Sequence, residues 1–291
     1  MAETTVTLPT RILVFGMAHE DGTVLASELY PAAEGCGQST EQVRSCLRRL
    51  VQQGLFAQDG GGRTARYRAT AAGLTELGIT IERHRLAYAQ DQAGKGWDRR
   101  WRLVAFAVPE ARRAARDALR DRLVALGGAP VQKGLYVSPH RWDNDITEAA
   151  KRLDLADHVT LASTDDLEVG GVRDPRALAA RLWPTDDLAV AYQRFVDDYA
   201  EMPKRLEEMR RQHRRIPDAM FLPGALAMGV AFNGTFERDP LLPPELLPRP
   251  WPGRTARELV LRSRRLALLL RETHDRPLLF RAFDEMLESI P

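Results

Sequence analysis

The sequence predicts an α+β protein of several domains, and three observations predict it. A helix with one apolar face precedes a glycine-rich hairpin within residues 8–73, strand and helix patterns alternate over 97–165, and the pattern is helical from about residue 175 onward. A length of 291 residues accommodates two or three domains. We therefore predict domains at 1–73, 97–174 and 175–291, with a helical linker at 74–96.

The composition is typical of a globular protein, with 44% hydrophobic and 28% charged residues. No apolar run approaches the roughly 18 residues that a membrane span needs, and residues 1–10 lack the pattern of a signal peptide. Two cysteines, Cys36 and Cys46, are too few for a disulfide framework and are expected to fill small core positions. We expect a cytoplasmic protein that does not associate with membranes.

The first block begins with short helices, one after Pro9 and one over 25–30, and a turn is predicted over 31–38. Ser39-Thr40-Glu41-Gln42 then forms a capping-box pattern, which predicts that a third helix begins there. Its apolar face comprises Val43, Cys46, Leu47, Leu50 and Val51, and Gly54 ends it. Strands over 55–57 and 65–69 flank a glycine-rich turn.

Three helices followed by a hairpin with a basic tip are the order of a winged helix-turn-helix. A helix in the major groove needs polar and cationic side chains clear of its packing face, and a wing needs cations near the phosphates. The helix candidates are Thr40, Gln42, Arg44, Ser45 and Arg48, and the phosphate-contacting candidates are Arg49, Arg63, Arg66 and Arg68. The alternative is an ordinary amphipathic helix with a solvated basic face beside an ordinary hairpin.

Arginine is concentrated in two windows of the sequence. Of the 42 cationic side chains, 38 are Arg. Residues 39–70 have six Arg against Glu41 and Asp59, and residues 97–122 have eight Arg against four acids, so each window has a net charge of +4. Because the guanidinium fork matches phosphate and guanine edges, the placement of these arginines is more informative than their number.

The middle block alternates strands and helices. Strands are predicted at 102–108, within 130–138 and at 158–162, and helices at 110–125 and about 145–153. With one more short strand this is a βαββαβ, ferredoxin-like unit. Further helices are predicted near 185–213 and 255–272, and the prolines of 239–248 exclude regular structure between them.

Three stretches together resemble the PaaX family of bacterial repressors of phenylacetate catabolism. They are residues 39–68, residues 101–110 with 134–140, and residues 238–248 with 251–253. The resemblance implies an N-terminal winged helix, a ferredoxin-like middle domain similar to CRISPR-associated adaptation nucleases, and a mainly helical C-terminal domain. It also implies a homodimer that leaves double-stranded operator DNA on binding an aryl-acyl-CoA, typically phenylacetyl-CoA. Family recognition helices often have Thr-Ala where Ser45-Cys46 stands here, so the operator sequence is not transferred.

Enzymatic chemistry is not expected. Similar nucleases place a metal-binding Asp at the end of the first strand, where this sequence has Val108-Pro109 and no carboxylate. The six histidines lack zinc-ligand spacing, and the glycine run 60–62 does not precede the helix of a P-loop. We expect neither a metal nor a cofactor.

The predicted function is that of a dimeric transcriptional repressor with a small-molecule effector. The effector candidates combine cations for phosphates with aromatic rings for an acyl group; they are Trp97, Arg99, Arg100, Trp101, Arg102, Arg173, Arg181 and Trp183. Core packing is the alternative use of these tryptophans. Two other functions remain open: a regulator of another pathway with a different effector, and an acyl-CoA-binding protein whose winged helix contacts proteins.

Overall fold

A computed structural model describes residues 9–272, 279–281, 283 and 284 of the chain. The chain forms two compact units. The first comprises Met1–Tyr88, Tyr192–Gly234 and Arg254–Pro291, and the second comprises Ala89–Ala191 and Thr235–Gly253. The predicted C-terminal block 175–291 contributes to both units, so this division differs from the predicted domain boundaries, which stay predictions.

The N-terminal part of the first unit alternates helices with a small sheet. Its elements are α1 (Thr10–Gly16), β1 (Thr23–Leu25), α2 (Ala26–Gly35), α3 (Thr40–Gln52), β2 (Phe56–Asp59) and β3 (Arg66–Ala69). The sheet is antiparallel with the order β1-β3-β2. This is the arrangement of a winged helix-turn-helix, so the predicted third helix and its hairpin are confirmed.

Two details of this region differ from the sequence prediction. The turn predicted over 31–38 is wrong in its first half, because α2 continues to Gly35 with Pro31 inside it. Leu29, Ala32 and Ala33 are buried in the core, and their burial outweighs the hydrogen bond that Pro31 cannot donate. The three-residue strand β1 was not predicted either, since it is too short to show an alternating pattern.

The winged-helix core also contains residues from far along the chain. Leu226 on α10 (Asp218–Phe236) and Leu279 are both fully buried in the same cluster as Leu13 of α1. Gly16 has no side chain, and a Cβ there would lie 2.8–2.9 Å from Leu279 and Phe280. The first unit is therefore one body in which a C-terminal segment packs closely on α1.

Four further helices, mostly amphipathic, lie outside the winged helix and the sheet of the second unit. They are α4 (Ala71–Ala93), α8 (Thr185–Tyr199), α9 (Met202–Arg211) and α11 (Pro252–Leu270), as the sequence predicted in outline. Leu206 of α9, Phe221 of α10 and Leu266 of α11 share a second core cluster in the first unit. Leu222 packs against both this cluster and the winged-helix core. Within the described residues, no helix combines the length and apolarity needed to span a bilayer.

The second unit contains a four-stranded antiparallel sheet with the order β5-β6-β4-β7. Its elements are β4 (Trp101–Phe106), α5 (Arg113–Ala125), β5 (Ala129–Gln132), β6 (Leu135–Ser138), α6 (Asp143–Arg152), β7 (Val159–Thr164) and α7 (Pro175–Leu182). The additional short strand is β5, so the predicted βαββαβ unit is confirmed. The first strand ends at Phe106 and not at Val108, and a 3-10 turn, Glu110–Arg112, precedes α5.

Different elements pack on the two faces of this sheet. Val104 and Tyr136 pack against Leu119 of α5 and Ile146 of α6. On the opposite face Trp101 and Val137 pack against α7 and against leucines of the proline-rich tract 239–248. The tract has only a 3-10 turn, Pro244–Leu246, so the prediction that it lacks regular helix and strand is confirmed in outline.

Candidate nucleic-acid interface

The N-terminus of α3 is fixed by the predicted capping box. The Oγ of Ser39 accepts a hydrogen bond from the backbone N–H of Gln42 at 3.2 Å, and the Oε1 of Gln42 accepts one from the N–H of Ser39 at 2.7 Å. Both bonds satisfy N–H groups that have no intrahelical partner. Gln42, predicted to contact bases, therefore holds the first turn of α3 with its side-chain oxygen.

The faces of α3 separate as the sequence predicts. Val43, Cys46, Leu47 and Leu50 are buried in the winged-helix core. The other predicted contact residues of this helix, apart from half-buried Ser45, are exposed: Thr40, Gln42, Arg44, Arg48 and Arg49. Their substitution therefore leaves the packing face intact.

The arginines of α3 differ in their partners. Arg48 forms an ion pair with Glu41 at 3.0 Å, and both side chains are more than two-thirds exposed. Among the described residues, no acceptor lies within hydrogen-bond or ion-pair distance of the side chains of Arg44 and Arg49. Arg44 and Arg49 thus give α3 two cationic groups without a protein partner.

The hairpin places its cations on one side and at its tip. In β3, Arg66 and Arg68 are exposed, whereas Tyr67 between them is buried, because successive side chains of a strand point to opposite faces. Arg63 lies in the 3-10 turn Gly62–Thr64 at the tip, where Gly62 has a φ of +64°. The structure therefore leaves all three predicted phosphate-contacting residues of the wing accessible.

An acidic residue lies close to the base of the wing. Asp21 accepts hydrogen bonds from the backbone N–H and the hydroxyl of Thr23, both at 2.9 Å, and these bonds lower the pKa of the carboxyl. The charges of His19 and Arg68 lower the pKa of Asp21 further, although by less. Asp21 is therefore an anion that orders the loop before β1.

The three tryptophans of the predicted effector site form one cluster, and two of them are buried. Trp97, Trp101 and Trp183 lie together, with ring centroids of neighbouring pairs 5.1 and 6.2 Å apart. Trp101 and Trp183 are at most 4% exposed, and the indole N–H of Trp183 donates to the carbonyl of Gly127 at 3.0 Å. These two rings are part of the core of the second unit, the alternative that the sequence left open.

Three of the five arginines of the same predicted site have side-chain partners. Arg102 is buried and donates to both carboxylate oxygens of Asp98, and Arg173 forms ion pairs with Asp166 and Glu168. Arg100 donates to the Oγ of Ser163 at 3.0 Å. The remaining two, Arg99 and Arg181, are exposed.

The contribution of the C-terminal segment to the winged helix was not predicted. Arg281 donates to the ring of His19 at 2.7 Å, and His19 contacts the carboxylate of Glu28 on α2 at 2.8 Å. Arg264 of α11 forms a buried ion pair with Asp284 at 2.7 Å. The sequence signal was weak, because an isolated glycine such as Gly16 and a distant Arg-Ala-Phe-Asp stretch do not reveal that they meet.

In the part of the chain that the structure describes, no group of three or more His, Cys, Asp or Glu side chains has the geometry to hold a metal ion. The end of β4 continues through Ala107, Val108 and Pro109, which offer no carboxylate ligand.

Known proteins with similar sequences and structures agree with this architecture. Two family models match the chain: "PaaX protein central Cas2-like domain" over residues 94–179 and "PaaX-like protein C-terminal domain" over residues 183–273. Transcriptional repressor PaaX of Escherichia coli is 25% identical over 248 residues, which are 84% of this chain and 74% of that protein. An uncharacterized protein from Mycobacterium tuberculosis, Rv0674, matches in structure with a TM-score of 0.53 and 20% identity, over 96% of this chain and 95% of that chain. The chain belongs to the PaaX family.

Proposed function

We propose that the protein is a transcriptional repressor that binds operator DNA through α3 and the wing. The observation that supports this most directly is the unpaired cationic surface of the winged helix. Five of the six arginines between residues 39 and 70 have no acidic partner within ion-pair distance among the described residues. Because desolvating a guanidinium without a partner is costly, such groups lie in water unless a partner supplies anions.

The geometry favours distinct roles for these residues. Arg44, Thr40 and Ser45 lie on α3 where base edges of the major groove would be reached, and Arg48 would exchange Glu41 for DNA. Arg49, Arg63, Arg66 and Arg68 would neutralise phosphates. Gln42 would hold the first turn in place, because its side-chain oxygen already bonds to Ser39.

The mode of regulation is proposed from the family. The relative from Escherichia coli is named a transcriptional repressor. We extend this to a homodimer that reads two half-sites, because one winged helix contacts too few base pairs for useful specificity.

An aryl-acyl-CoA such as phenylacetyl-CoA is the proposed effector. It would release DNA only if it binds the DNA-bound and the DNA-free forms of the protein with different affinities. A different small-molecule effector in another pathway is the alternative within this class.

A gel-shift titration tests the proposal. The probe is the promoter upstream of the protein's own gene, with an unrelated duplex of equal length as control. We expect tighter binding to the promoter, an affinity that falls steeply with salt, and release by phenylacetyl-CoA but not by free phenylacetate. Equal and salt-insensitive binding to both duplexes would favour the rival function, in which the protein binds acyl-CoA and its winged helix contacts proteins.

A further inference from the structure

A second basic surface lies in the same compact unit as the winged helix, outside α3 and the wing. It is formed by α9 and the turn that follows. Between residues 201 and 215 there are six Lys and Arg side chains against three Glu. We refer to Arg205, Arg210 and Arg214 as the α9 arginines.

The acids of this segment are already paired with other cations. Glu201 bonds to Lys204 at 2.7 Å and Glu207 to Arg262 of α11 at 2.5 Å. Glu208 pairs with Arg211. Among the described residues no acceptor lies within hydrogen-bond or ion-pair distance of the side chains of the α9 arginines, and all three are exposed. The surface thus has an excess of positive charge that the protein does not neutralise.

The backbone that presents these cations is anchored. Helix α9 ends at Arg211; His213, two residues later, has a φ of +53°, and the N–H of Arg214 bonds to the carbonyl of Met209 at 2.9 Å. Two residues later the N–H of Ile216 bonds to the carbonyl of Leu270, and Arg215 donates to the carbonyl of Leu269. The turn after α9 is therefore tied to the end of α11.

The shape of the surface fits a row of phosphates better than a single anion. Cations from Lys204 to Arg211 extend over roughly 10 Å, since a helix rises about 1.5 Å per residue. A shallow depression of about 520 Å³ along one side of α9 is bordered by Glu208 and by the cations Lys204, Arg205, Arg211 and Arg214, whereas Arg210 does not line it. A DNA strand presents a phosphate about every 3.4 Å of its axis, so this length corresponds to about three successive phosphates.

We propose that the α9 arginines contact the DNA backbone beside the segment read by the winged helix. This inference rests on the proposed function, because it assumes that the first unit binds DNA. Leu222 packs against both the winged-helix core and the cluster that contains α9, so the two basic surfaces belong to one packed body. Contacts of this kind add affinity without sequence preference.

The test compares three forms of the full-length protein on a long operator duplex and on an unrelated duplex. One is wild type, and one is the triple variant R205A/R210A/R214A. The third is the matched control R85A/R120A/R254A, in which the same charge is removed from exposed arginines that have acidic partners. Thermal unfolding of each form verifies that it is folded.

We expect the α9 variant to bind both duplexes at least about tenfold more weakly, by the same factor for each, whereas the control binds as wild type does. The slope of log Kobs against log salt should fall by about 0.9 for each phosphate that the variant no longer neutralises, hence by about 2 to 3. Replacement of the same three residues by Lys should restore most of the slope, because Lys retains the charge.

Two results would overturn the inference. The α9 variant and the control could show wild-type affinity and slope on the long duplex. Alternatively, the variant could keep DNA binding but lose its response to a CoA thioester, which would assign the surface to the phosphates of a ligand. If R44A removes preference for the operator while the α9 variant behaves as wild type, only this inference fails. If wild type itself binds no DNA, the proposed function fails with it.

Discussion

Two regions of this protein have the same local charge in sequence and opposite surroundings in the structure. Residues 39–70 and 97–122 each have a net charge of +4. In the first region only Arg48 has an acidic partner within ion-pair distance among the described residues. In the second, six of eight arginines pair with acids: Arg102, Arg112, Arg113, Arg116, Arg120 and Arg122.

The difference arises from residues outside the second window and from helix geometry within it. Arg112 pairs with Asp154 and Arg122 with Asp145, both contributed by later parts of the chain. Arg113 and Asp117 are four residues apart on α5, where side chains at that spacing are neighbours. A count of charges in a window therefore misses pairing, and pairing distinguishes a structural arginine from one available to a ligand.

The largest expected effect of this contrast is on stability. Arg102 is 7% exposed and also donates to the carbonyls of Arg100 and Pro139. Replacing it by Ala leaves the two carbonyls without this donor and removes two bonds to Asp98, which keeps the N–H of Arg100 and the side chain of Arg141 as donors. We therefore expect a loss of about 2–3 kcal/mol in the free energy of unfolding. Urea unfolding measures it. Arg99→Ala, at an exposed residue of the same loop, is the control and should change the value by under about 0.5 kcal/mol. A loss below about 1 kcal/mol for R102A would contradict the structural role.

The same ion pair predicts a response to acid. Hydrogen bonds from Arg102 are the largest cause that lowers the pKa of Asp98, to about 2. Because the folded pKa lies below the unfolded one, this stabilisation is complete above about pH 4 and is lost as the pH falls towards 2. Because Asp98 is exposed and water screens the pair, the stabilisation is well below the about 2.5 kcal/mol that the full shift would give. Unfolding free energy measured between pH 5 and 2 should therefore fall more steeply for wild type than for D98N, and parallel curves would refute this.

An unpaired arginine should instead affect binding. Arg44→Ala is expected to weaken operator binding by about 1–3 kcal/mol if the side chain contacts a base, with unchanged stability because it lies off the packing face. Arg48→Ala should have a smaller effect, since Arg48 must first leave Glu41. Fluorescence anisotropy on the promoter measures both, with R85A, whose partner is Glu82, as control. Unchanged affinity for both variants would exclude α3 as the reading helix.

Local patterns were sufficient to predict the main elements of the fold. The capping box at Ser39, the apolar face of α3 and the alternation in β3 each depend on residues close in sequence, and all are present. The βαββαβ order follows from the same kind of pattern. What the sequence could not show are long-range contacts, such as Leu279 in the winged-helix core.

The candidate sites were also predictable to different degrees, because some of their features depend on local sequence patterns and others on long-range contacts. Exposure of the contact residues on α3 follows from helical periodicity, so their placement was predictable. Whether Arg173 is free depends on where Asp166 and Glu168 fold, and whether Trp183 lines a pocket depends on what covers it. The DNA-binding and effector roles of all these residues stay predictions.

The smallest expected effect concerns Arg173, which the sequence places among the effector candidates. Its side chain is 65% exposed, so its ion pairs with Asp166 and Glu168 are screened by water, and R173A should leave the free energy of unfolding close to that of wild type. Because two carboxylates already neutralise Arg173, we also expect less than a tenfold change in affinity for phenylacetyl-CoA. Calorimetry with phenylacetyl-CoA, free phenylacetate and free coenzyme A measures this.

The double variant D166N/E168Q sharpens the comparison, because it keeps Arg173 and removes both of its partners. If its ion pairs prevent Arg173 from binding the phosphates of the ligand, the double variant should bind phenylacetyl-CoA more tightly than wild type does. Adding R173A to the double variant should then abolish this gain in affinity. A loss of more than tenfold in R173A alone would show that a paired arginine can serve the effector, and pairing would then no longer separate the two regions. If none of the three compounds binds wild type more tightly than millimolar, phenylacetyl-CoA is not the effector of this protein.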